Sequence, residues 1–429
     1  MANVGGFTNI EIMNAIRAEA SEQYQSRIPV ATQANLLDTG NAILNAEILY
    51  NEFLRNLVDK IAFQYVHTWS LDNPLKEFKR GTIPFGRTVE EMYLDIAQAQ
   101  AFNSEKSETE LFKRVIPDLS VIYHTINRQD FYKTTVMYTM LQRAFYNETG
   151  LMQLVGTISN SLYNGDAYDE FQIMKQLMSS YFDKGLAFPV KLDAIVDEST
   201  AKKAVVAMRQ MVNLLSLPSR MYNSIGVMRS VRPEDQVLFI TPDVEAQIDV
   251  DVLAAAFNLS KADFLARRIL VDNFGSNTNI VAILADREWI LQWDTLMRTE
   301  EVYNQQGLYW NMFLHHQGIY STSRFASCVM FTTSAVSVDS IEVTAAPVTK
   351  GQYADQKASV KAASSASGAY VPQTVKWEVT GGTKSGTYID MGGRLFVSTD
   401  ETASTLTVKA TSTYDSSVVG TASVTVNSL

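Results

Sequence analysis

Apolar residues recur at helical spacing near the start of the chain. Ile12, Met13 and Ile16 share one face of a helix with 3.6 residues per turn. Before them, Thr8 and Glu11 fit a capping box, in which the hydroxyl and the carboxylate each accept a backbone N–H at the start of a helix. The first helix is therefore expected to begin after Thr8 and to bury this apolar face.

Four further segments have a helical pattern. They are 41–60, RTVEEMYLDIAQAQ from Thr88, 150–185, and the run TAKKAVVAMRQMVNLLSLPS, which is ended by Pro218. Within 150–185, the tripeptide Asn164–Gly165–Asp166 predicts a break between two helices, because these residues favour turns. Gly185 is the expected stop of the second helix.

Strand-like patterns occupy much of the remaining sequence before residue 335. Residues 62–69 alternate in the manner of a strand. After Pro218, short apolar runs alternate with turns. They are VLFITPD, RRILVDNF, NIVAILAD and WILQWD, with a short predicted helix, DVDVLAAAFN, among them. This order predicts a mixed α+β architecture rather than a regular βαβ alternation.

Composition changes near Ala335, after which Ser, Thr, Val and Ala dominate. Strand-length runs with period two follow at short intervals. They are DSIEVTAA, KASVKAAS, TVKWEVTGG, GRLFVST, STLTVKATST and TASVTVNS. Together with Trp377 in mid-segment, they predict a small β-sandwich over 336–429. Because no cysteine pair is present, packing alone would hold its core.

Bulk composition narrows the protein class. The chain has 429 residues, of which 46% are apolar and 19% charged, so it has ample material for packed domains, roughly two or three of them. The net charge of −10 disfavours a dedicated nucleic-acid binder, which needs clustered Lys and Arg. The sequence shows no signal-peptide pattern and no apolar run long enough for a transmembrane helix. We therefore expect a protein that is made in a cytoplasm and leaves the cell only as part of a larger assembly.

The segment GTIPFGRT, 81–88, comes close to a phosphate-binding loop. Arg87 stands where the Walker A pattern requires lysine, and arginine is a wider, planar cation. The preceding NPLKEFKR is too polar for the buried strand that such a loop follows, and Pro84 removes one N–H that would bind phosphate. A nucleotide-binding enzyme is therefore the weaker interpretation.

An exposed arm explains the same segment better. Its cations are Lys76, Lys79, Arg80 and Arg87, and the carboxylates that offset them are Asp72, Glu77, Glu90 and Glu91. A charge-balanced, amphipathic projection suits salt bridges to a neighbouring chain better than it suits contact with a polyanion.

Residues that often carry chemistry have structural explanations here. His315 and His316 are adjacent, so on a strand they point to opposite faces and cannot easily share a metal ion. Cys328 lies in an apolar run, which indicates a core thiol. The acidic DVEAQIDVDV lacks EF-hand spacing, and helix capping by Asp249 explains it, with a loosely bound divalent ion as the alternative. The sequence therefore predicts no catalytic residue, no metal site and no cofactor.

Three segments resemble the major capsid protein of tailed bacteriophages. The resemblance is closest to small, short-tailed, protein-primed phages of Gram-positive hosts. The segments are LDNPLKEFKRGTIPFGRTVEEMYLDI (71–96), EAQIDVDVLAAAFN (245–258) and GLYWNMFLHHQGIYSTSRFA (307–326). The resemblance runs over nearly the whole chain, and 336–429 is similar to a bacterial immunoglobulin-like group-two domain.

The resemblance implies an α+β tailed-phage capsid fold over 1–335. Such a fold has an N-terminal arm, an extended two-stranded loop (the E-loop), a peripheral domain with a spine helix, and an axial domain. The resemblance places the E-loop at about 66–100, the spine helix at about 150–185 and the axial domain at about 236–286. The strands around Trp310 and Phe325 are expected to return to the peripheral sheet.

The resemblance also implies that the E-loop lies over an adjacent subunit. The residues expected at that interface are Lys76, Phe78, Lys79, Arg80, Ile83, Pro84, Phe85 and Arg87. Some members of the wider fold join their subunits by a lysine–asparagine isopeptide bond. No asparagine and acid in this sequence match Lys76 or Lys79, so no cross-link is expected.

The function implied is that of a self-assembling shell protein of an icosahedral or elongated head. Implied partners are other copies of the chain in hexameric and pentameric capsomers, a scaffolding protein, the portal or connector, head fibres, packaged double-stranded DNA without sequence specificity, and host-surface glycans. Assembly is expected in the host cytoplasm, and the final location in the virion capsid. The alternatives are a bacterial nanocompartment shell protein and a carbohydrate-binding surface adhesin.

Overall fold

The computed structural model describes residues 8–428 apart from 45, 47, 51, 54–55, 57–70, 72, 85, 98–118, 141–149, 249–266 and 276. Its helices are α1 (Asn9–Glu19), α2 (Glu22–Arg27), α3 (Leu36–Leu44), α4 (Gly150–Asp183), α5 (Glu198–Leu215) and α6 (Pro242–Ile248). Among the described residues, no helix is long and apolar enough to cross a membrane. The strand predicted at 62–69 and the helix DVDVLAAAFN lie outside the described residues.

The strands before residue 335 form two main sheets and one two-stranded sheet. They are β1 (Lys79–Thr82), β2 (Val89–Leu94), β3 (Leu119–His124), β4 (Arg128–Met137), β5 (Phe188–Lys191), β6 (Gln236–Ile240), β7 (Arg267–Leu270), β8 (Ile280–Asp286), β9 (Ile290–Asn304), β10 (Tyr309–Thr322) and β11 (Cys328–Thr332). The long-strand sheet has the order β1-β9-β10-β4, the five-stranded sheet has the order β5-β11-β8-β6-β7, and β2 pairs with β3.

The N-terminal helix begins as predicted. Thr8 and Glu11 form the expected capping box at the start of α1. Met13 and Ile16 are buried in the same hydrophobic core as Leu314 of the long-strand sheet, so the predicted apolar face is the buried one. α3 begins at Leu36, before the start of the helix predicted over 41–60, and overlaps that prediction at 41–44.

One continuous helix of 34 residues, α4, replaces the two helices predicted over 150–185. The predicted break at 164–166 is wrong because long-range contacts support this stretch. Tyr132 of β4 lies 3.4 Å from where a Cβ of Gly165 would be, so the glycine permits close packing. Asp166 binds Arg128 of the same strand. Gly185, with φ of 67°, follows the helix end as expected.

The five-stranded sheet is buried on both faces. Met174 and Met178 of α4 pack on one face, while Met208 and Val212 of α5 pack on the other. Burial on both faces explains the continuous apolar runs of its central strands. Phe325 lies between β10 and β11 and packs in a small core with Val227.

The strands predicted after residue 335 are present, together with three short ones. They are β12 (Ser340–Thr344), β13 (Val348–Thr349), β14 (Tyr353–Asp355), β15 (Lys357–Lys361), β16 (Val375–Thr380), β17 (Tyr388–Ile389), β18 (Arg394–Phe396), β19 (Thr405–Ser412) and β20 (Val419–Asn427). The sheet β13-β20-β19-β16 packs face to face with β14-β18-β17, since Val408 and Val424 share a core with Leu395 and Val397. We call this two-layered unit, 336–429, the C-terminal domain.

Tyr370 anchors the C-terminal domain on the end of α4. Its ring stacks on Phe182 with centroids 4.3 Å apart, and its hydroxyl donates to the carbonyl of Ala187 at 2.8 Å. The backbone N–H of Gln373 donates to the carbonyl of Gly185 at 2.7 Å. The C-terminal domain is therefore fixed to the rest of the chain by a buried aromatic side chain.

Candidate functional site

The described part of the segment GTIPFGRT, 81–84 and 86–88, includes the end of a strand and a turn. Residues 79–82 make up β1, which runs parallel to β9. Gly81 and Gly86 have φ of 116° and 81°, which favour glycine. The chain then enters the strand β2, so the helix predicted from Thr88 is wrong. Residues 89–94 alternate between half-buried and exposed positions, which is the period of a strand. A strand here offers no helix N-terminus to a phosphate group.

The residues expected at the subunit interface lie in different environments. Phe78 is buried in the core of its own chain, with its ring centroid 5.7 Å from that of Phe239, so it has no surface for a neighbour. Lys79 is half-buried and binds carboxylates of its own chain. The exposed members are Lys76, Arg80, Pro84 and Arg87, with Ile83 half-buried. Phe85 lies outside the described residues.

The sheet of β2 and β3 has an exposed apolar face. The two strands pair in antiparallel register, from Val89 opposite His124 to Leu94 opposite Leu119. The exposed fractions of the four large side chains on the outer face are 62% for Met92, 57% for Leu94, 50% for Leu119 and 63% for Tyr123. We call these four residues the arm face. The two strands cover 89–94 and 119–124, and the first of them lies within the 66–100 expected for the E-loop.

A second exposed apolar face lies on the outer side of the long-strand sheet. Phe131 of β4 is 61% exposed, Met137 of the same strand 55%, and Val302 of β9 56%. The ring of Phe313 lies beside that of Phe131, with centroids 6.0 Å apart. We call Phe131, Met137, Val302 and Phe313 the sheet face.

A buried cluster of charged residues joins α4 to the inner side of the same sheet. The imidazole Nδ1 of His316 lies 2.6 Å from Oδ1 of Asp166, and its Nε2 lies 3.0 Å from Oδ1 of Asp294. Arg128 donates to the same oxygen of Asp166 at 2.7 Å and to the hydroxyl of Tyr320 at 2.7 Å. This arrangement connects β4, β9 and β10 to the middle of the long helix.

Lys79 extends the cluster to the base of β1. Its Nζ lies 2.6 Å from Oδ2 of Asp294 and 3.3 Å from Oε1 of Glu170. The carboxylates of Asp166, Glu170 and Asp294 are balanced by Arg128, Lys79 and a protonated His316. The segment that leads into the two-stranded element is therefore attached to α4 by ion pairs.

The pKa values of His316, Asp294 and Lys79 favour the charged forms of these three side chains. Burial alone would lower the pKa of His316, but hydrogen bonds to Asp166 and Asp294 outweigh burial and raise the pKa to about 9. Burial opposes ionisation of Asp294, yet hydrogen bonds from His316 and Lys79 hold its pKa below the usual value. Burial likewise opposes the charge of Lys79, whose pKa the nearby carboxylates nevertheless raise.

Asp166, Glu170 and His316 bring possible metal-ligand atoms within 4.8 Å of one another. A metal ion would need a free lone pair on His316, but both ring nitrogens already face carboxylates. It would also displace the Arg128 guanidinium from Asp166. The geometry therefore favours an ion-pair cluster over a metal site at these residues.

Asp294 and Glu170 supply the acids near Lys79 that sequence reasoning did not find. Joining Lys79 to Asp294 as an amide would require a neutral amine and a protonated carboxyl group. The pKa of Lys79 is raised and that of Asp294 is lowered, so both groups stay charged. The pair is therefore a salt bridge.

The adjacent histidines and the cysteine have the structural roles predicted for them. His316 is buried and His315 half-buried on opposite faces of β10. Cys328 is buried in the five-stranded sheet, and burial raises the pKa of its thiol, which keeps it protonated. In the sequence, the charged cluster is indicated only by Asp294, an acidic residue at the end of the apolar run WILQWD.

Comparisons with known proteins identify relatives over nearly the whole chain. Residues 13–332 match the family of Phi29-like phage major capsid proteins. The major capsid protein of Bacillus phage PZA is 37% identical over 415 residues, which cover 95% of this chain and 91% of that protein. That of Bacillus phage B103 is 36% identical over 419 residues, with the same two coverages.

A solved structure supports the fold. The capsid structure of Staphylococcus phage Andhra is similar with a TM-score of 0.50 and 13% sequence identity, covering 62% of this chain and 85% of that chain. The family match ends at the last residue of β11, whereas the alignment with the Bacillus phage PZA protein extends over 95% of the chain. That relative therefore shares sequence with part of the C-terminal domain.

Proposed function

Because this chain belongs to the Phi29-like phage major capsid protein family and is a structural protein of the phage capsid shell, we propose that its copies assemble through two apolar faces that one chain leaves exposed. The arm face of one copy packs on the sheet face of the next. The exposure of the arm face carries this proposal. The inner side of the two-stranded sheet already packs on its own chain through Tyr93 and Ile122, so the four large apolar side chains on the outer side remain free for a partner.

Charge supports the same pairing. Glu90 lies on the outer side of β2 beside Tyr123, whose hydroxyl is 3.3 Å from its carboxylate. Lys133, whose ammonium lies 5.6 Å from the ring centroid of Phe313, and Arg298 lie on the outer side of the long-strand sheet. Glu300 lies on the same outer side and pairs with Arg298 at 2.5 Å, which leaves Lys133 as the cation without this partner and makes the attraction to the acidic arm face modest.

The proposed contact joins two different surfaces and is therefore head-to-tail. Contacts of this type close into rings when the rotation between copies allows it. Rings of six and five copies are the hexameric and pentameric capsomers of a closed shell. Repetition over many copies stabilises the shell even when each interface is modest.

The turn after β1 provides a second region of contact. Lys76, Arg80, Pro84 and Arg87 are exposed around it, and Ile83 is half-buried. We assign these residues to the edge of the subunit interface, together with Phe85, which follows Pro84 in the sequence. Phe78 and Lys79 support the turn from within their own chain rather than by touching a neighbour.

We further propose that the C-terminal domain is immunoglobulin-like and faces outward. Its two packed layers support this assignment, as does Trp377 on the edge strand β16, which packs against the core between the layers. The anchor at Tyr370 holds it in one orientation on each copy. Outward placement suits decoration of the particle, attachment of head fibres and weak contact with host-surface glycans.

The remaining proposed partners follow from assembly. A scaffolding protein and a portal or connector would direct the size and the unique vertex of the shell. A chain of net charge −10 limits adhesion to packaged double-stranded DNA, which must later leave. The family match favours a phage shell over a nanocompartment shell or a surface adhesin.

Electron microscopy of assembled protein tests the proposal. The full chain, expressed with a scaffolding protein of the same phage, is expected to form closed shells. Met92→Glu on the arm face and Phe131→Glu on the sheet face should each leave monomers or small oligomers, whereas Val419→Glu in the C-terminal domain should still form shells. Shells at unchanged yield from Met92→Glu would refute the proposed contact.

Mixing the two variants tests the head-to-tail geometry. Met92→Glu retains a sound sheet face, and Phe131→Glu retains a sound arm face. One intact interface can therefore form between the two variants, so the mixture should contain 1:1 heterodimers by native mass spectrometry. A sample of either variant alone should contain no dimer joined through these two faces, since one face of each such pair is altered. A mixture that contains monomers only would contradict the pairing of these two faces.

A further inference from the structure

The outer face of the sheet β14-β18-β17 carries a row of aromatic rings. In this sheet, Tyr353 and Tyr388 both pair with Phe396. Their neighbours in the strands, among them Leu395, point to the opposite side and form the core of the domain. The three aromatic side chains therefore lie together on the solvent side of the C-terminal domain.

The rings of the aromatic row lie side by side, tilted by about 40° to one another, and are partly accessible. The centroids of Tyr353 and Tyr388 lie 4.8 and 5.6 Å from that of Phe396, and the two tyrosine hydroxyls are 3.2 Å apart. Tyr353 is 50% exposed. The outer face of a two-layered β domain is usually polar, so three adjacent rings there indicate a binding surface rather than a packing requirement.

Polar groups surround the rings. The guanidinium of Arg394 lies 4.6 Å from the ring centroid of Tyr353, and the carboxylate of Asp355 is 3.8 Å from Nε of Arg394. Both side chains are mostly exposed, Arg394 at 58% and Asp355 at 78%. We propose that this surface, which we call the aromatic platform, binds a neutral polysaccharide.

The chemistry of a sugar ring fits this arrangement. One side of a pyranose presents C–H groups, which pack against the electron-rich faces of aromatic rings. Its hydroxyl groups can donate to the Asp355 carboxylate and accept from Arg394. A few polar groups placed beside an apolar surface are typical of small-ligand sites.

Size and charge disfavour other occupants. The platform consists of three side chains on strands of two or three residues. A stable protein interface covers about 800 Å² on each partner, which exceeds what three partly exposed side chains provide. Asp355 and Asp390 outnumber Arg394 around the platform, so an anionic polymer would be repelled.

Binding should be measured on unassembled full-length chain. A biological role for the site rests on the proposed outward placement of the domain, but binding itself requires no shell. We would use saturation-transfer NMR with cellotetraose, mannotetraose and chitotetraose as neutral probes and with a polyribitol phosphate as an anionic probe. At least one neutral probe is expected to bind, and the anionic probe is not.

Substitutions test whether the aromatic platform is the site at which the neutral probe binds. Tyr353→Ala should weaken binding of the neutral probe at least tenfold without lowering the melting temperature, because this side chain is half exposed. Tyr353→Phe should retain most of the binding. Tyr168→Ala removes a similarly exposed ring from α4 and should change nothing.

Three outcomes would overturn the inference: no neutral probe binds, only the anionic probe binds, or Tyr353→Ala binds as well as the unaltered chain. Electron microscopy of shells formed by Tyr353→Ala distinguishes failure of this inference from failure of the proposed assembly contact. Shells should form normally, because the platform lies outside the arm and sheet faces.

Discussion

The Nδ1 of His316 lies 2.6 Å from Oδ1 of Asp166, and both side chains are buried. The two residues are 150 positions apart in the sequence, and their contact joins the middle of α4 to β10. Because the other ring nitrogen faces Asp294, the imidazole is held in its doubly protonated form. The long helix and the long-strand sheet are thus joined by a charge that depends on pH.

We expect this contact to make stability fall at alkaline pH. The pKa of His316 is raised from 6.5 to about 9, so its contribution is complete below pH 6.5 and is lost as pH rises through about 9. A shift of this size corresponds to at most about 3 kcal/mol of unfolding free energy. Urea unfolding of unassembled protein between pH 6 and 10 measures it.

His316→Gln is the variant for comparison. Gln cannot carry the charge, so its unfolding free energy should depend less on pH over the same range. The difference between the two proteins should be largest near pH 6 and smallest near pH 10. Parallel pH profiles for the variant and the unaltered chain would show that His316 is not the titrating group.

Arg128 offers a matched pair of carboxylates for a second prediction. Its guanidinium binds Asp166, which is buried, and Asp130, whose side chain is 48% exposed. Asp166→Asn leaves buried cations without their partner and should cost about 3 to 5 kcal/mol. Asp130→Asn removes a partly exposed partner and should cost about 1 kcal/mol or less.

Thermal unfolding of both variants at pH 7 measures this difference. Asp166→Asn should have a clearly lower melting temperature, and Asp130→Asn should stay close to the unaltered protein. Equal melting temperatures would show that the cluster around Arg128 contributes little to stability.

Local patterns in the sequence predicted the parts of the fold that local interactions determine. The capping box of Thr8 and Glu11, the stop at Gly185 and the strands of the C-terminal domain each depend on a few consecutive residues. The resemblance to phage capsid proteins, carried by longer segments, is confirmed at the level of the family.

Long-range contacts explain what the sequence did not show. The break predicted at 164–166 is absent because Gly165 packs against Tyr132, and Asp166 binds Arg128, which lies 38 positions away. The helix expected from Thr88 is a strand because it pairs with β3. No spacing rule brings Lys79, Asp166 and His316 together, since three separate elements supply them.

The salt bridge between Lys79 and Asp294 leads to a prediction about covalent structure. Since both groups remain charged, no amide should form between them, and the chain should have its full mass without loss of water. Intact-mass spectrometry of assembled particles measures this directly. A chain lighter by one water, with the loss abolished in Lys79→Met, would contradict the assignment of this pair as a salt bridge.

The buried Tyr370 gives a prediction about the C-terminal domain. Tyr370→Ala removes a ring that stacks on Phe182 and should cost about 3 to 5 kcal/mol at the contact between the C-terminal domain and the rest of the chain. Tyr370→Phe keeps the ring and loses only the hydrogen bonds of the hydroxyl to Ala187, so it should cost about 1 kcal/mol.

Limited proteolysis separates loss of the anchor from unfolding of the domain. In Tyr370→Ala, cleavage close to Val336 should become faster, because that residue pairs with Tyr370 and packs against the same core. The released C-terminal fragment should remain resistant, since its own core does not include Tyr370. Tyr370→Phe should be cleaved at nearly the original rate. Equal cleavage of all three proteins would mean that other contacts, such as that of Gln373 with Gly185, suffice to hold the C-terminal domain in place.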